Sequence, residues 1–402
     1  MRFSAWLTVA FFVAASLHGQ QQTTPVTRNE LPPSTVLSDS LTFFDRIRSD
    51  MANWSDVELA AFEATTAQAK EDCNRIEHTA HEGDEELALA RLCALGRDWD
   101  GTYSAARWYT RTTALPADAQ HLSAGFALLL QADLNLQAIP RAITELQEMH
   151  KRLPFTAETD AIFNYTINAL EVMRPEQGIT AAMLRQPDLL NAVAGKNTAL
   201  SPGISEAEAW HTLALLHTAG RKEEEQTQKL LLLDAIAQRS ATLSTTDQYI
   251  AHRGRTRYEW LSQPAPVFTI TRSTYPSMPR RPLSTSSTKA TLLVIDSATA
   301  ADVPALSLAL DSLRTRLAPG QKASLVLLGT PPSPDAKRDP HVPVIHAQYT
   351  SAPLLEDFAS DSGSLFLFLD GTNHVTWLGT GTPAWLNPQQ QAEILLQKAS
   401  AP

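Results

Sequence analysis

The sequence predicts an all-helical N-terminal domain followed by an α/β domain, on the basis of three observations. From Leu41 to Trp260, apolar residues recur at the spacing of amphipathic helices, and polar capping residues precede several of these segments. After Gln263 the pattern changes to alternating and continuous apolar runs that are typical of β-strands. A hydrophobic segment close to Met1 precedes both regions and predicts export.

The N-terminal segment has the features of a secretory signal peptide. Arg2 supplies a positive start, and Ala5–Leu17 is a hydrophobic core that is too short to span a bilayer comfortably. We therefore predict a signal peptide over residues 1–20, cleaved near Gly19 or Gln20, and a secreted or periplasmic protein without a membrane span after cleavage. An uncleaved amphipathic anchor is the alternative interpretation.

Composition and charge limit the classes of partner. The formal net charge is −10 and no basic cluster offsets it, which argues against nucleic acid and anionic membrane surfaces as main partners. Of the 402 residues, 43% are hydrophobic and 19% are charged, as in ordinary globular proteins of two or three domains. Residues 21–40 are polar and contain prolines, so we expect a flexible leader there.

Helix starts in the region 41–260 carry recognisable signals. Capping boxes are predicted where Ser55 is followed by Glu58 and where Ser205 is followed by Glu208. An amphipathic helix is predicted to follow the second box and to end at Gly220. We expect these helices to form antiparallel pairs.

The helical region resembles a tetratricopeptide-repeat array. Its Trp210-x-x-Leu213-Ala214-x-x-His217 spacing is similar to the first helix of that repeat, and Ala142 followed by Pro154 is similar to the second helix and its closing proline. The resemblance implies a helical solenoid with a concave binding surface. No clean repeat of about 34 residues runs through the region, so an irregular helical domain is the alternative. The tryptophans here are expected to be buried at helix contacts: Trp54, Trp99, Trp108 and Trp210.

The two cysteines, Cys73 and Cys93, flank a turn-like segment at residues 81–84. They are therefore expected on adjacent antiparallel helices, and an oxidising compartment favours a disulfide between them. Two free buried thiols, a Cys/His zinc site with His78 and His81, and a catalytic Cys–His pair are the alternatives. We favour the interpretation that His78 and His81 are solvated side chains. No catalytic residue, metal or cofactor is assigned.

The C-terminal region, residues 263–400, is predicted to alternate strands and helices. An extended entry at Pro264–Pro266 leads into a strand at Val267–Ile270. Further strands are predicted at Thr291–Ile295, Ser324–Gly329, Val342–Ala347, Leu365–Leu369 and Val375–Leu378, the last two as a hairpin around Asp370–Asn373. Helices are predicted at Ala305–Leu317, Ala352–Ala359 and Asn387–Lys398.

This region resembles a bacterial TlpA-like thioredoxin domain of the AhpC/TSA type. The family's "APxF" start matches Ala265–Phe268, its buried strand matches 291–295, and its hairpin pattern matches Leu365–Gly379. The resemblance covers about a third of the chain and implies a thioredoxin-like, three-layer α/β fold.

The redox residues of that family are missing. Its CxxC motif corresponds to Asp296–Pro304, where no cysteine occurs, and its cis-proline corresponds to Ser362–Ser364. The degenerate active-site positions are Ala301, Asp302, Val303 and Pro304. Because thiol–disulfide exchange needs a thiolate nucleophile, we predict a redox-inactive domain.

Two functions follow from these observations. The favoured one is a non-catalytic, exported interaction or scaffold protein that binds one or more proteins in the cell envelope, so that enzymatic activity is not expected. The alternative is an accessory protein related to thiol–disulfide oxidoreductases, in which Cys73 and Cys93 form a displaced exchangeable pair. The alternative predicts an exposed disulfide, whereas a structural role predicts a buried one.

Overall fold

A computed structural model describes residues 31–42, 55–76, 81–113 and 119–264, followed by the strand segments 269–270, 281–282, 290–295, 323–328, 345–348, 365–370 and 374–380. The chain divides into two compact units, Met1–Thr166 and Ile167–Pro402. The predicted domains, 41–260 and 263–400, remain predictions.

The first unit is helical throughout its described residues. Its helices are α1 (Pro33–Leu41), α2 (Asp56–Ile76), α3 (Asp84–Leu95), α4 (Trp99–Thr112), α5 (Ala119–Asn135) and α6 (Ile139–Arg152), and α7 (Ala157–Met173) continues past the unit boundary. Helix α1 corrects the expectation of a flexible leader for residues 33–40. Pro33 begins the helix, where its missing N–H costs nothing, and Val36 and Leu37 are buried.

The second unit combines helices with a mixed sheet. Its helices are α8 (Pro175–Val193), α9 (Pro202–Thr218), α10 (Lys222–Gln238) and α11 (Thr245–Trp260). Helix α9 packs on α8, α10 and α11. The described strands are β1 (Thr269–Ile270), β2 (Arg281–Pro282), β3 (Ala290–Ile295), β4 (Ala323–Leu328), β5 (Ile345–Gln348), β6 (Leu365–Asp370) and β7 (Val375–Thr380).

Within the described residues, three short helix-to-helix connections share one geometry, and the longer α8–α9 connection repeats it at Gly195 (75°), with the Lys196 N–H donating to the Asn191 carbonyl at 2.8 Å. In each, one residue adopts a left-handed φ, and the next N–H bonds to the carbonyl five residues before it, as in a Schellman ending. The left-handed residues are Arg97 (54°), Gln137 (56°) and Gly220 (71°). The closing bonds run from Asp98 to Cys93, from Ala138 to Asp133 and from Arg221 to Leu216, at 2.9, 2.8 and 3.0 Å. They close the hairpins α3–α4, α5–α6 and α9–α10.

The capping box at Ser55 is confirmed. The Ser55 N–H donates to Glu58 Oε2 at 2.7 Å, and the Glu58 N–H donates to Ser55 Oγ at 3.3 Å. These reciprocal bonds satisfy two N–H groups that the first turn of α2 leaves without an intrahelical partner.

The second predicted capping box, at Ser205, is wrong. Helix α9 begins four residues earlier, and Ser201 is its N-cap, with Oγ accepting from the Ile204 N–H at 3.3 Å. The reason is Pro202, whose fixed φ suits the first helical position. Ser205 consequently lies inside the helix and is buried.

Tryptophan burial is predicted correctly at one position and wrongly at another. Trp210 is 2% exposed and its ring lies 5.2 Å from that of Tyr258. Trp108, on α4, is 54% exposed. Trp99 is half-buried, and Trp54 lies outside the described residues.

The described strands form a sheet in the order β2-β1-β5-β4-β3-β6-β7. Strand β3 is parallel to β4, which is parallel to β5, whereas β6 is antiparallel to both β3 and β7. The predicted strands at 291–295 and 324–329 and the predicted hairpin are thus confirmed, while β2 falls in a segment that was not expected to contain a strand. The predicted helices Ala305–Leu317, Ala352–Ala359 and Asn387–Lys398 lie outside the described residues.

Residues that follow α11 pair with the beginning of β7. The Ser262 N–H donates to the Val375 carbonyl at 2.8 Å, and the Val375 N–H donates to the Gln263 carbonyl at 2.9 Å. Pro264 and His374 extend this pairing as an antiparallel bridge. Val375 is fully buried, so the end of the helical region is anchored to the edge of the sheet.

Buried ion pairs connect the middle helices of the first unit. Glu145 on α6 pairs with Arg107 on α4, and Asp133 on α5 accepts from Arg141 Nε at 2.5 Å. Burial raises the pKa of both carboxyl groups, that of Asp133 to about 6, although the arginines oppose the shift. Such pairs add little net stability, but they disfavour other packings of these helices because an unpaired buried charge is costly.

We predict that Glu86→Gln removes a pH-dependent loss of stability. Glu86 is 7% exposed, and burial raises its pKa from 4.5 to about 7, although a backbone hydrogen bond from His81 lowers it. Between these values the folded protein binds more protons than the unfolded chain, so stability falls as pH rises, by on the order of 3 kcal/mol. The variant should match the wild type near pH 4 and exceed it above pH 7 in urea unfolding. Glu82→Gln, which removes an exposed neighbouring carboxylate, is the control, and an identical profile for both variants would contradict the prediction.

Candidate functional site

Cys73 and Cys93 form a disulfide that joins α2 to α3. The Sγ–Sγ distance is 2.05 Å and both residues are 0% exposed. The disulfide expected from the sequence is therefore confirmed. Because both sulfurs are in this bond, the alternatives of free thiols, a zinc thiolate site and a catalytic thiolate are wrong. In the described residues, no group of three or more His, Cys, Asp or Glu side chains is placed to hold a metal ion.

Helix α4 covers the disulfide through Gly101. A Cβ at this position would lie 2.7 Å from Cys73 Sγ and 3.2 Å from Cys93 Sγ, so only glycine permits such a close approach. Exchange requires a thiolate to reach one of the sulfurs, and neither is accessible in the folded protein. The exposure that a displaced redox pair requires is therefore absent at these two cysteines.

The degenerate positions of the thioredoxin-like region are not described by the structure. Ala301, Asp302, Val303 and Pro304 lie outside the described residues, as do Ser362–Ser364. Their assignment as a redox-inactive site rests on the sequence.

A solvent-exposed apolar surface runs along α10, and we call it the α10 leucine face. It consists of Leu230, Leu231 and Leu233, which are 58%, 46% and 43% exposed, together with the exposed Ala237. The opposite side of the helix packs inward through Leu232 and Ala235. Leu230, Leu233 and Ala237 follow the i, i+3, i+7 spacing of one helix side, so they form a continuous stripe.

Acidic residues lie beside this stripe. Asp234 is one turn from Leu230 and Glu223 is two turns before it, and both are exposed. Lys229, the nearest cation in sequence, is directed to the ring of Tyr258, 5.1 Å from its centroid. The α10 leucine face is therefore an apolar surface with an acidic margin, in which the exposed Glu223 and Asp234 outnumber the exposed Lys222.

Sequence reasoning missed this surface although the run Leu230–Leu233 contained a signal. Four consecutive leucines on a helix of 3.6 residues per turn point in four directions, so a helix covered on one side cannot bury all of them. Which leucines remain exposed depends on how α10 packs against α8 and α9.

Comparisons with known proteins assign no family. No family model matches the chain, and no curated protein is significantly similar to it. Among solved structures, the chain is similar to a thioredoxin-like protein from Bacteroides caccae, with 14% identity over 71% of this chain and 98% of that one. The TM-score of 0.29 is too low for this similarity to assign a fold or an activity.

Of the described helices, none has the length and hydropathy of a membrane span.

We predict that the disulfide stabilises the protein and does not exchange. Replacing both Cys73 and Cys93 by alanine should lower the free energy of unfolding by about 3 kcal/mol, because the closed loop of about 20 residues no longer restricts the unfolded chain. Urea unfolding of the variant, beside the reduced wild type, measures this loss. When an alkylating reagent is added together with a mild reductant, it should modify no cysteine in the native protein. It should modify both cysteines once the protein is unfolded. Rapid reduction of the native protein, or turnover of insulin disulfides, would contradict a structural role.

Proposed function

We propose that this is an exported protein that binds another protein through the α10 leucine face. The observation that carries the proposal is the exposure of Leu230, Leu231 and Leu233 on one helix. A leucine side chain gains roughly 1.5–3 kcal/mol when it moves from water into an apolar contact, so a partner that covers this face gains substantial binding energy. Clustered exposed apolar residues of this kind mark interaction surfaces.

The partner is a protein segment with an apolar side bordered by basic residues. The acidic margin at Glu223 and Asp234 and the net charge of −10 favour a basic partner. An amphipathic helix meets both requirements, since its apolar side can lie along α10 while its lysines or arginines reach the acidic margin.

Export is supported by two independent features. The N-terminal sequence has the pattern of a signal peptide. The fully buried Cys73–Cys93 disulfide fits a protein that folds in an oxidising space such as the periplasm.

The remaining architecture contributes a scaffold. The recurrent hairpin turns at Arg97, Gln137 and Gly220 support a tetratricopeptide-like helical region. The parallel β3–β4 pair joined to the antiparallel β6–β7 hairpin supports a thioredoxin-like domain at the C-terminus. Because its CxxC and cis-proline positions are substituted, this domain serves as a packing or interaction module without thiol–disulfide exchange.

We predict that Leu230→Lys combined with Leu233→Lys abolishes partner binding without unfolding the protein. A photoreactive residue at position 230 in the full-length chain identifies the partner by crosslinking in the cell envelope, and titration with the purified partner gives Kd. Loss of two central leucine contacts should raise Kd by at least about 30-fold, while the melting temperature stays unchanged because both side chains are exposed.

The matched control is Thr144→Lys combined with Gln147→Lys. These residues are exposed on α6 at the same i, i+3 spacing, so the control adds the same charge and removes no leucine. It should retain most of the affinity. Equal affinity of the two double variants for the crosslinked protein, or no crosslinked partner at all from position 230, would refute the proposal.

A further inference from the structure

Ser262, His217 and Glu225 form a continuous hydrogen-bonded chain in the second unit. Ser262 Oγ lies 2.9 Å from His217 Nε2, and His217 Nδ1 lies 3.0 Å from Glu225 Oε1. The three side chains come from the segment after α11, the end of α9 and the first turn of α10. A hydroxyl, an imidazole and a carboxylate connected in this order form the arrangement that activates a serine nucleophile.

The carboxylate fixes the tautomer of the imidazole. A carboxylate can only accept hydrogen bonds, so the His217 Nδ1 that faces Glu225 is the donor, and Nε2 is left to accept from the Ser262 hydroxyl. Glu225 is itself oriented by Tyr258, whose hydroxyl donates to the same Oε1 at 2.6 Å. The side chain of Glu225 is 14% exposed and that of His217 is 32% exposed. The carboxylate is thus mostly shielded, whereas the imidazole can still be approached.

The backbone holds Ser262 in an unusual conformation. Its φ is +65°, a left-handed value that is unfavourable for a residue with a Cβ, and the residues that follow helices at Arg97 and Gln137 share it. Two backbone hydrogen bonds to Val375 keep this segment in place. Ser262 is exposed, so an incoming reagent can reach its hydroxyl.

We propose that Ser262 is a nucleophile that His217 activates for acyl transfer from activated esters. Ser262 Oγ attacks the acyl carbon while its proton passes to His217 Nε2; the bond from that carbon to the leaving oxygen then breaks, and His217 returns the proton to the departing alcohol or phenol. Water next attacks the acyl-serine with His217 as the base, which releases a carboxylic acid and restores the serine hydroxyl. The net reaction is ester plus water to acid plus alcohol.

The backbone around Ser262 limits the substrate class. The N–H groups of Ser262 and Gln263 already bond to the carbonyls of Val375 and Trp260, so they do not stabilise an oxyanion. Loss of one oxyanion-hole donor typically costs 10²–10³ in rate. The site is therefore suited to acyl groups with good leaving groups, such as aryl esters, and not to amides.

The test uses the full-length protein with a fluorophosphonate, whose phosphorus forms a bond to an activated serine oxygen as fluoride leaves. Peptide mass spectrometry locates the modified residue. Ser55 and Ser244 are controls within the same molecule, because both are exposed and each donates its hydroxyl to a carboxylate at 2.7 Å without a histidine between. We expect modification at Ser262 at least about 100-fold faster than at either control, the range of general-base assistance.

Variants separate an activated nucleophile from a structural hydrogen bond. His217→Gln should reduce both modification of Ser262 and release of p-nitrophenol from p-nitrophenyl acetate by about 100-fold, and Ser262→Ala should abolish the burst of release. Glu225→Gln should slow both reactions. The melting temperature is measured for every variant to show that each protein is folded. Equal labelling of Ser262 and the two control serines would overturn the proposal, as would unchanged reactivity of Ser262 in a folded His217→Gln protein.

Discussion

Reversal of the chain between helices is the constraint on which the helical architecture depends. A helix satisfies most of its own backbone groups but cannot bury its apolar side alone, so each helix needs a neighbour that is brought back against it. At Arg97, Gln137 and Gly220 a single left-handed residue achieves this reversal. Arginine and glutamine adopt this conformation at a cost, which the closing hydrogen bonds and the packing of the two helices offset.

Helix α10 buries only one of its two apolar sides. It packs on α8 and α9, its buried residues include Leu232 and Ala235, and the leucines on its other side stay between 43% and 58% exposed. Each of these leucines therefore gains only part of the free energy of full burial in the folded monomer. They acquire a physical role once a second molecule covers them, and this is why the proposed function is located there.

Two kinds of polar arrangement contrast in this protein. The ion pairs of Asp133 with Arg141 and of Glu145 with Arg107 are buried on the carboxylate side and fix helices against one another. The chain from Glu225 through His217 to Ser262 is different, since it runs from a shielded carboxylate to an exposed hydroxyl. Only the second arrangement presents a reactive atom to solvent, and it lies where the helical region is anchored to the sheet.

The sequence by itself determined what depends on neighbouring residues. The capping of α2 by Ser55, the strands β3 and β4, the β6–β7 hairpin and the disulfide between α2 and α3 follow from local spacing, so pattern reasoning found them. It failed at Ser205, where a proline nearby gave a better helix start, and at residues 33–40, where long-range burial makes a short polar segment helical. Both errors arise where a competing contact outweighs a local signal.

The tertiary structure decided which side chains meet and which remain uncovered. Ser262 and His217 are 45 residues apart in the sequence, and Arg107 and Glu145 are 38 residues apart, so no short sequence motif predicts either contact. The exposure of Leu230 and Leu233 likewise depends on the direction in which α10 packs, which its uniformly apolar run does not specify. Local pattern thus sets the elements, whereas the contacts between distant elements determine the surfaces on which function depends.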